Sequence, residues 1–175
     1  MSAMTRASAS SEVRDVPVPE PLKADLREFS FALTEGGLRK SLLFLNSRTP
    51  HRFTGVFRFD GDMLRSICLV DKWVHEVVVG EDVPSAQAYC AHLHATGEPF
   101  SVSHGPSDPR VPWMADSRVV AYCGAVILDR SGRRWGAICH FDTKRCDART
   151  TEMPLLVAAA GLIFEAALAY VSPVG

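Results

Sequence analysis

The sequence contains no CxxC pair, and its five cysteines, Cys68, Cys90, Cys123, Cys139 and Cys146, are an odd number. Zinc ribbons need paired, closely spaced thiols and small secreted scaffolds need even sets, so both classes are excluded and reduced thiols are expected. The net charge is only −1, and no run of Lys/Arg exceeds two residues. That balance removes the electrostatic reason to expect nucleic acid or an acidic membrane surface as a partner. The first twenty residues, MSAMTRASASSEVRDVPVPE, lack the apolar stretch of a signal peptide. They are rich in Ser, Pro and charge, so residues 1–20 are expected to be a disordered tail and the protein to be cytoplasmic. No internal repeat is present. One apolar run, Pro154 to Val171, is about the minimum length for a membrane span. Glu165 near its middle, abundant Ala and Gly, and no basic residues flanking its C-terminal end argue instead for a single packing helix from about Thr150 to Tyr170 in a protein with no membrane partner.

What remains is an ordinary globular composition, 47% apolar and 22% charged over 175 residues, enough for one domain across residues 21–171. Leu22, Leu26, Phe29 and Leu33 recur at helical spacing. The pattern breaks at Gly36-Gly37 and resumes with Leu38, Leu42 and Leu45. Two strand-like runs, Phe53 to Phe59 and Met63 to Val70, flank Asp60-Gly61-Asp62, a strong hairpin signal. The segment DVPSAQAYCAHLHATGEPF reads as one helix stopped by Gly97 and Pro99. A short strand (SVSHG), a proline-rich loop (PSDPRVPWMADSR) and a second hairpin, VVAYCGAVILD and RRWGAICHFD, follow. Both strands of that hairpin are apolar on both faces, so the sheet should be covered on both sides. Strands paired as hairpins predict an α+β fold on an antiparallel sheet.

In that order, the stretches YCAHLHATGEPFSV, DPR and VVAYCGAVILDRSGRRWGAICHFD resemble the GAF domain family. The residues that carry the likeness are Thr96, Gly97 and Pro99, then Asp108, Pro109 and Arg110, then Gly124, Asp129, Gly132, Gly136 and Asp142. The resemblance spans about residues 22 to 171. It implies a PAS-like central antiparallel sheet of about six strands, with the terminal helices on one face, often dimerising, and a ligand pocket on the other. Family members are sensors of cyclic nucleotides, bilins, haem, nitrate or other small ligands. A few reduce free methionine sulfoxide.

Cys139 and His140 are adjacent on a strand and must point to opposite faces, so they do not form one metal site; Cys139 reads as a packing residue at a strand end. Trp135, Ala137, Cys139 and Phe141 are expected on one face, and Gly136, Ile138 and His140 on the other. Cys90, seven residues before Gly97, occupies the place where the reductases of the resembled family carry a cysteine. Those enzymes use a second thiol on the loop before the YCGAVIL strand, and Met114 to Val119 supplies none. The same gap argues against covalent bilin attachment. Haem stays open through a lone histidine that nothing selects. His92 and His94 lie about 200° apart on a helix and are not a metal pair. Cys90 and His94 do share a helical face but lack a third ligand in sequence, so no metal site is expected.

The loop SDPRVPWMADSR carries Arg110 and Trp113, a combination that can hold an anionic group beside an apolar one, or equally a surface loop that its Trp anchors to the core. On the pocket face that the resemblance implies, bracketed by the middle helix and this loop, the expected ligand site is Phe57, Tyr89, Cys90, His94, Arg110, Trp113 and Tyr122. The expected function is a small-molecule sensor, not an enzyme, in signal transduction. Two alternatives are a thiol-dependent reductase of free methionine sulfoxide and a structural dimerisation module with a closed pocket. No kinase, cyclase, phosphatase or DNA-binding segment follows Val171, so the output is expected through a separate signalling protein or through a homodimer of the terminal helices, whose apolar residues surround them on nearly every side.

Overall fold

The computed structural model describes residues 18–171; the expectation for the tail concerns residues that lie almost wholly outside that range. Helix α1 (Glu20–Ser47) starts behind Pro19, with a further proline in its first turn. Gly37 interrupts it with φ 72°, a left-handed value that only glycine adopts without strain. The interruption rotates the second half so that Leu38, Leu42 and Leu45 join Phe29 in the core. Strands β1 (Phe53–Asp60) and β2 (Met63–Asp71) form the expected hairpin, with Gly61 at φ 61° in a two-residue connection. Arg39 of α1 then fastens the irregular segment after β2 by donating to the carbonyls of Leu69, His75 and Val77.

The middle of the chain departs from the expected single helix. Val83–Pro84 pair with β2 as the short strand β3, and Ser85–Gln87 make one 3-10 turn. The backbone extends at Ala88, and α2 covers only Cys90–Thr96, ending on Gly97 at φ 71°. The register of β3 against Met63 and Leu64 captures the residues that would have formed the first helical turns. Strand β4 (Phe100–Val102) leads into a loop of two 3-10 turns at Gly105–Ser107 and Pro112–Met114. Strands β5 (Ala121–Leu128) and β6 (Arg134–Asp142) complete the sheet in the order β3-β2-β1-β6-β5-β4, antiparallel throughout.

The expected terminal helix is two helices, α3 (Glu152–Ala160) and α4 (Phe164–Val171), bent by 63°. A straight helix could bury only one stripe on the sheet. The bend after Gly161 lets α3 bury Leu155, Leu156, Ala159 and Ala160, while Ile163 and Ala167 turn into the same core. Among the described residues no single helix is long and apolar enough to cross a membrane.

Two cores flank the sheet. Helices α1, α3 and α4 cover one face over Val56, Cys68, Cys123 and Ile138. Helix α2 and the loop after β4 cover the other, over Phe57, Tyr122, Ala137 and Cys139. Trp135 is a correction to the alternation expected along β6. Ile127 pairs with Gly136 but Leu128 pairs with Arg134, so Trp135 is an extra residue in a bulge. Its ring goes to the helix side, edge-on to Phe164 with centroids 5.4 Å apart.

Candidate functional site

Cys139 and His140 part company as strand geometry requires. His140 turns to the helix face, where its Nδ1 lies 2.7 Å from Thr54 Oγ1. Cys139 turns to the α2 face and lines a cavity of about 230 Å³. The sheet contributes its floor through Phe57, Leu64, Tyr122, Cys139 and Phe141. Tyr89 and Cys90 close it from α2 and the residue before it, Met114 and Val119 from the loop, and Val83 and Glu81 from the far rim. Glu81 is the single carboxylate side chain among the lining residues, and none is a lysine, arginine or histidine.

Tyr89 sets the height of the roof. Its ring stacks on Tyr122 at 5.1 Å, and its hydroxyl donates to the Val119 carbonyl at 2.7 Å. Gly105 is what allows this: a Cβ there would lie 1.9 Å from the Tyr89 hydroxyl oxygen. Burial pushes the Tyr89 phenol up to about 12, so it is a neutral donor at physiological pH. Reaching from α2 to the cavity floor, the Cys90 Sγ lies 3.1 Å from the Tyr122 hydroxyl. The Cys90 thiol is held below its ordinary value, first by a hydrogen bond from the Cys139 thiol, against the opposing effect of burial, and then by Tyr122. Burial pushes Cys139 and Tyr122 well up. With Cys90 neutral, Cys139 has a second acceptor in the Gly55 carbonyl at 3.8 Å. Its single proton can serve either partner.

Four of the seven residues expected at the ligand site, Phe57, Tyr89, Cys90 and Tyr122, line this cavity. Three lie elsewhere. His94 sits on the exposed side of α2, stacked on Phe59 at 4.3 Å, because the short helix presents only Cys90 and Leu93 to the core. Arg110 pairs with Asp108 at 2.6 Å and covers the Phe100 ring at 4.6 Å, on the outer surface beside β4. Trp113 is 43% exposed, and its Nε1 donates to the Ala88 carbonyl at 3.2 Å, tying the loop down from outside. Its neighbour Met114 is the residue that enters the cavity. The sequence reading also missed Leu64, Val83, Phe141 and above all Cys139. The alternation of Ala137, Cys139 and Phe141 was a usable signal for that face. Contact with Cys90 was not, because it depends on how α2 lies on the sheet. Among the described residues no group of three or more His, Cys, Asp or Glu side chains is placed to hold a metal ion.

No protein-family model and no curated protein matches the sequence. Solved structures do match in fold. The GAF domain of an Acinetobacter phosphoenolpyruvate-protein phosphotransferase superposes with a TM-score of 0.69 at 9% identity, covering 90% of this chain and all of that one. A free methionine-R-sulfoxide reductase from Neisseria meningitidis, solved with its substrate, gives 0.66 at 14% identity, with 98% of this chain and 100% of that chain covered. The chromophore-binding domain of Stigmatella aurantiaca phytochrome P1 gives 0.65 at 11% identity, with 89% and 62% covered. At these identities the likeness establishes the fold, an α+β GAF fold, and that same fold occurs there in part of a phosphotransferase, in a reductase and in a chromophore-binding domain.

Proposed function

We propose that this GAF-fold domain is a sensory module that binds a small, largely apolar molecule in the cavity between α2 and the sheet. The observation that carries the reading is the lining itself: an apolar cleft with a few convergent polar atoms from Tyr89, Cys90 and Tyr122, and no cationic side chain. Such a lining suits a neutral ligand. It does not suit a cyclic nucleotide or nitrate, whose negative charge would be buried without a partner. At about 230 Å³ the space is below the usual range for tetrapyrrole-sized ligands. Together with the absence of histidine from the lining, this weighs against haem, and nothing in it favours a bilin. A structural module would need no such space. The helices on the opposite face, α1, α3 and α4, are the surface available for output, to a second copy or to a separate signalling protein.

The test combines native mass spectrometry and a visible spectrum of the purified protein with a thermal-shift screen of neutral aromatic and aliphatic compounds. At least one compound is expected to stabilise the protein, and Val119→Phe, which fills the cavity from its roof, is expected to abolish that shift. Stabilisation that survives Val119→Phe would place the ligand elsewhere. No stabilisation by any compound would leave the dimerisation module as the better reading.

A further inference from the structure

Cys139 has glycine directly across from it on both sides, Gly55 on β1 and Gly124 on β5. Directly opposed residues of an antiparallel sheet point to the same face, so no Cβ flanks the thiol on either side. Neighbouring rings lean into the vacated space. A Cβ on Gly55 would meet the Phe57 ring at 3.0 Å, and one on Gly124 would lie 2.3 Å from the Tyr122 hydroxyl oxygen. Cys139 is thus left at the bottom of a slot between two aromatic rings, and Cys90, the first residue of α2, closes the slot from above. The other three cysteines are elsewhere. Cys68 and Cys123 lie in the core beneath the terminal helices, and Cys146 is half-buried in the segment after β6.

We propose that Cys90 and Cys139 form an oxidisable dithiol where α2 meets the cavity floor, converted to a disulfide by a small apolar organic hydroperoxide bound in the same cavity. This rests on the reading of the cavity as a small-molecule site and names a class of molecule for it. The alkyl or aryl part of ROOH packs against Phe57, Leu64 and Met114, and the O–O group meets the only polar atoms of the floor. Cys90 as thiolate attacks the distal oxygen; the O–O bond breaks, a Cys90 sulfenic acid forms, and the alkoxide takes up the proton that Cys90 gave up, leaving as ROH. The Cys139 sulfur then attacks the Cys90 sulfur. The S–O bond breaks, and hydroxide leaves as water with the Cys139 proton. The balance is two thiols and ROOH to one disulfide, ROH and water, with two electrons passing from sulfur to oxygen. The Tyr122 hydroxyl, 3.1 Å from Cys90, stabilises the attacking thiolate. Among the five cysteines the Cys90 thiol alone is held down, while burial raises Cys68, Cys123, Cys139 and Cys146. The bond would tie α2 to β6 across the cavity.

The experiment treats the reduced full chain with stoichiometric cumene hydroperoxide, quenches with N-ethylmaleimide and maps the peptides. The expected result is a Cys90–Cys139 disulfide within one chain and release of cumyl alcohol. Tyr122→Phe is expected to slow linkage about tenfold through loss of one hydrogen bond to a charged sulfur. Cys139→Ala is expected to leave a Cys90 sulfenic acid that dimedone captures. Free thiols at both positions under conditions that oxidise Met114, or a disulfide between chains through Cys146, overturns the inference; the wild-type map decides this even if a variant fails to fold. Thermal-shift binding of unreactive cumyl alcohol separates the two readings. Binding without linkage defeats the dithiol alone, and linkage without binding of any compound defeats the sensor reading alone.

Discussion

His51 Nδ1 lies 2.7 Å from Glu152 Oε1, with both side chains shut away from solvent beneath the helix layer. The contact joins the residue that leads into β1 to the first residue of α3. The Thr49 hydroxyl donates to the same carboxylate oxygen, and the Arg149 backbone N–H donates to the other at 2.9 Å. His140 sits beside them, its ring 6.0 Å from that of His51. This buried polar cluster holds the start of α3 on the sheet, and its titration governs how the fold responds to acid.

Stability is expected to fall as pH drops from neutrality. Burial pushes the His140 imidazole down to about 3, so the unfolded chain takes up a proton below about 6.5 that the folded chain refuses until far lower pH. Burial also works to raise Glu152, but hydrogen bonds from His51 and Thr49 outweigh it and hold the carboxyl below its ordinary value of 4.5. Its contribution is present above that value and is lost as pH falls through the folded-state pKa. Both groups act in the same direction. Each proton taken up only by the unfolded state costs about 1.4 kcal/mol per pH unit. Urea midpoints measured from pH ~7.5 to ~5 should fall steadily, and His140→Asn should flatten the curve above pH ~5. A flat wild-type curve over that window would mean that His140 is not buried as a neutral ring.

Two glycines of the same hairpin should behave differently. A Cβ on Gly136 would lie 2.2 Å from the Phe57 carbonyl oxygen, a backbone atom that cannot yield without parting β1 from β6. Gly136→Ala should cost about 3 kcal/mol in denaturant titrations. The Cβ of Gly124→Ala meets the Tyr122 side chain instead, which can swing away. That variant should stay folded, lose about 1 kcal/mol and lose cavity ligands in the thermal-shift assay. Equal losses of stability would contradict the placement of the two rings.

Free methionine sulfoxide should not be turned over with dithiothreitol or thioredoxin. Its ammonium and carboxylate groups would both need partners, and the cavity lining has no cation for the carboxylate. The loop from Met114 to Val119 also lacks a thiol. Steady turnover that disappears in Cys90→Ser would make the protein a reductase.

Sedimentation should show a dimer at high micromolar concentration. Phe31 is 71% exposed on α1, and Leu162 is 51% exposed at the bend between α3 and α4. Covering each such side chain contributes about 1.5–3 kcal/mol before the costs of association. Phe31→Glu with Leu162→Glu should give monomers that keep the wild-type melting behaviour of the monomer. Phe164 is a poorer choice for this test, since its ring is committed to Trp135. A wild type that sediments as a monomer would direct attention to a different protein on these helices.

Much of the fold was legible in local patterns. Helix α1 with its break at Gly37, both hairpins and the antiparallel sheet follow from spacing, turn residues and alternation, which act over a few residues. Local pattern failed where a distant surface competed. Residues 83–87 left their helix because β2 offered an edge, and the apolar run from Pro154 bent because one straight rod cannot bury two different stripes.

The candidate site divides the same way. Phe57, Tyr89, Cys90 and Tyr122 were identifiable by residue type and position along the chain, and they meet in one cavity. His94, Arg110 and Trp113 had equally suitable chemistry but face outward, since the rotation of a seven-residue helix and the anchoring of a loop are set by what they pack on. Cys139 is the reverse case. By itself the sequence determined that it sits on a strand with its back to His140. Only the pairing of three strands, which sets Gly55 and Gly124 on either side of it, decided that this thiol would lie open to Cys90. Neighbours across a sheet are chosen by register, and register is a property of the assembled core.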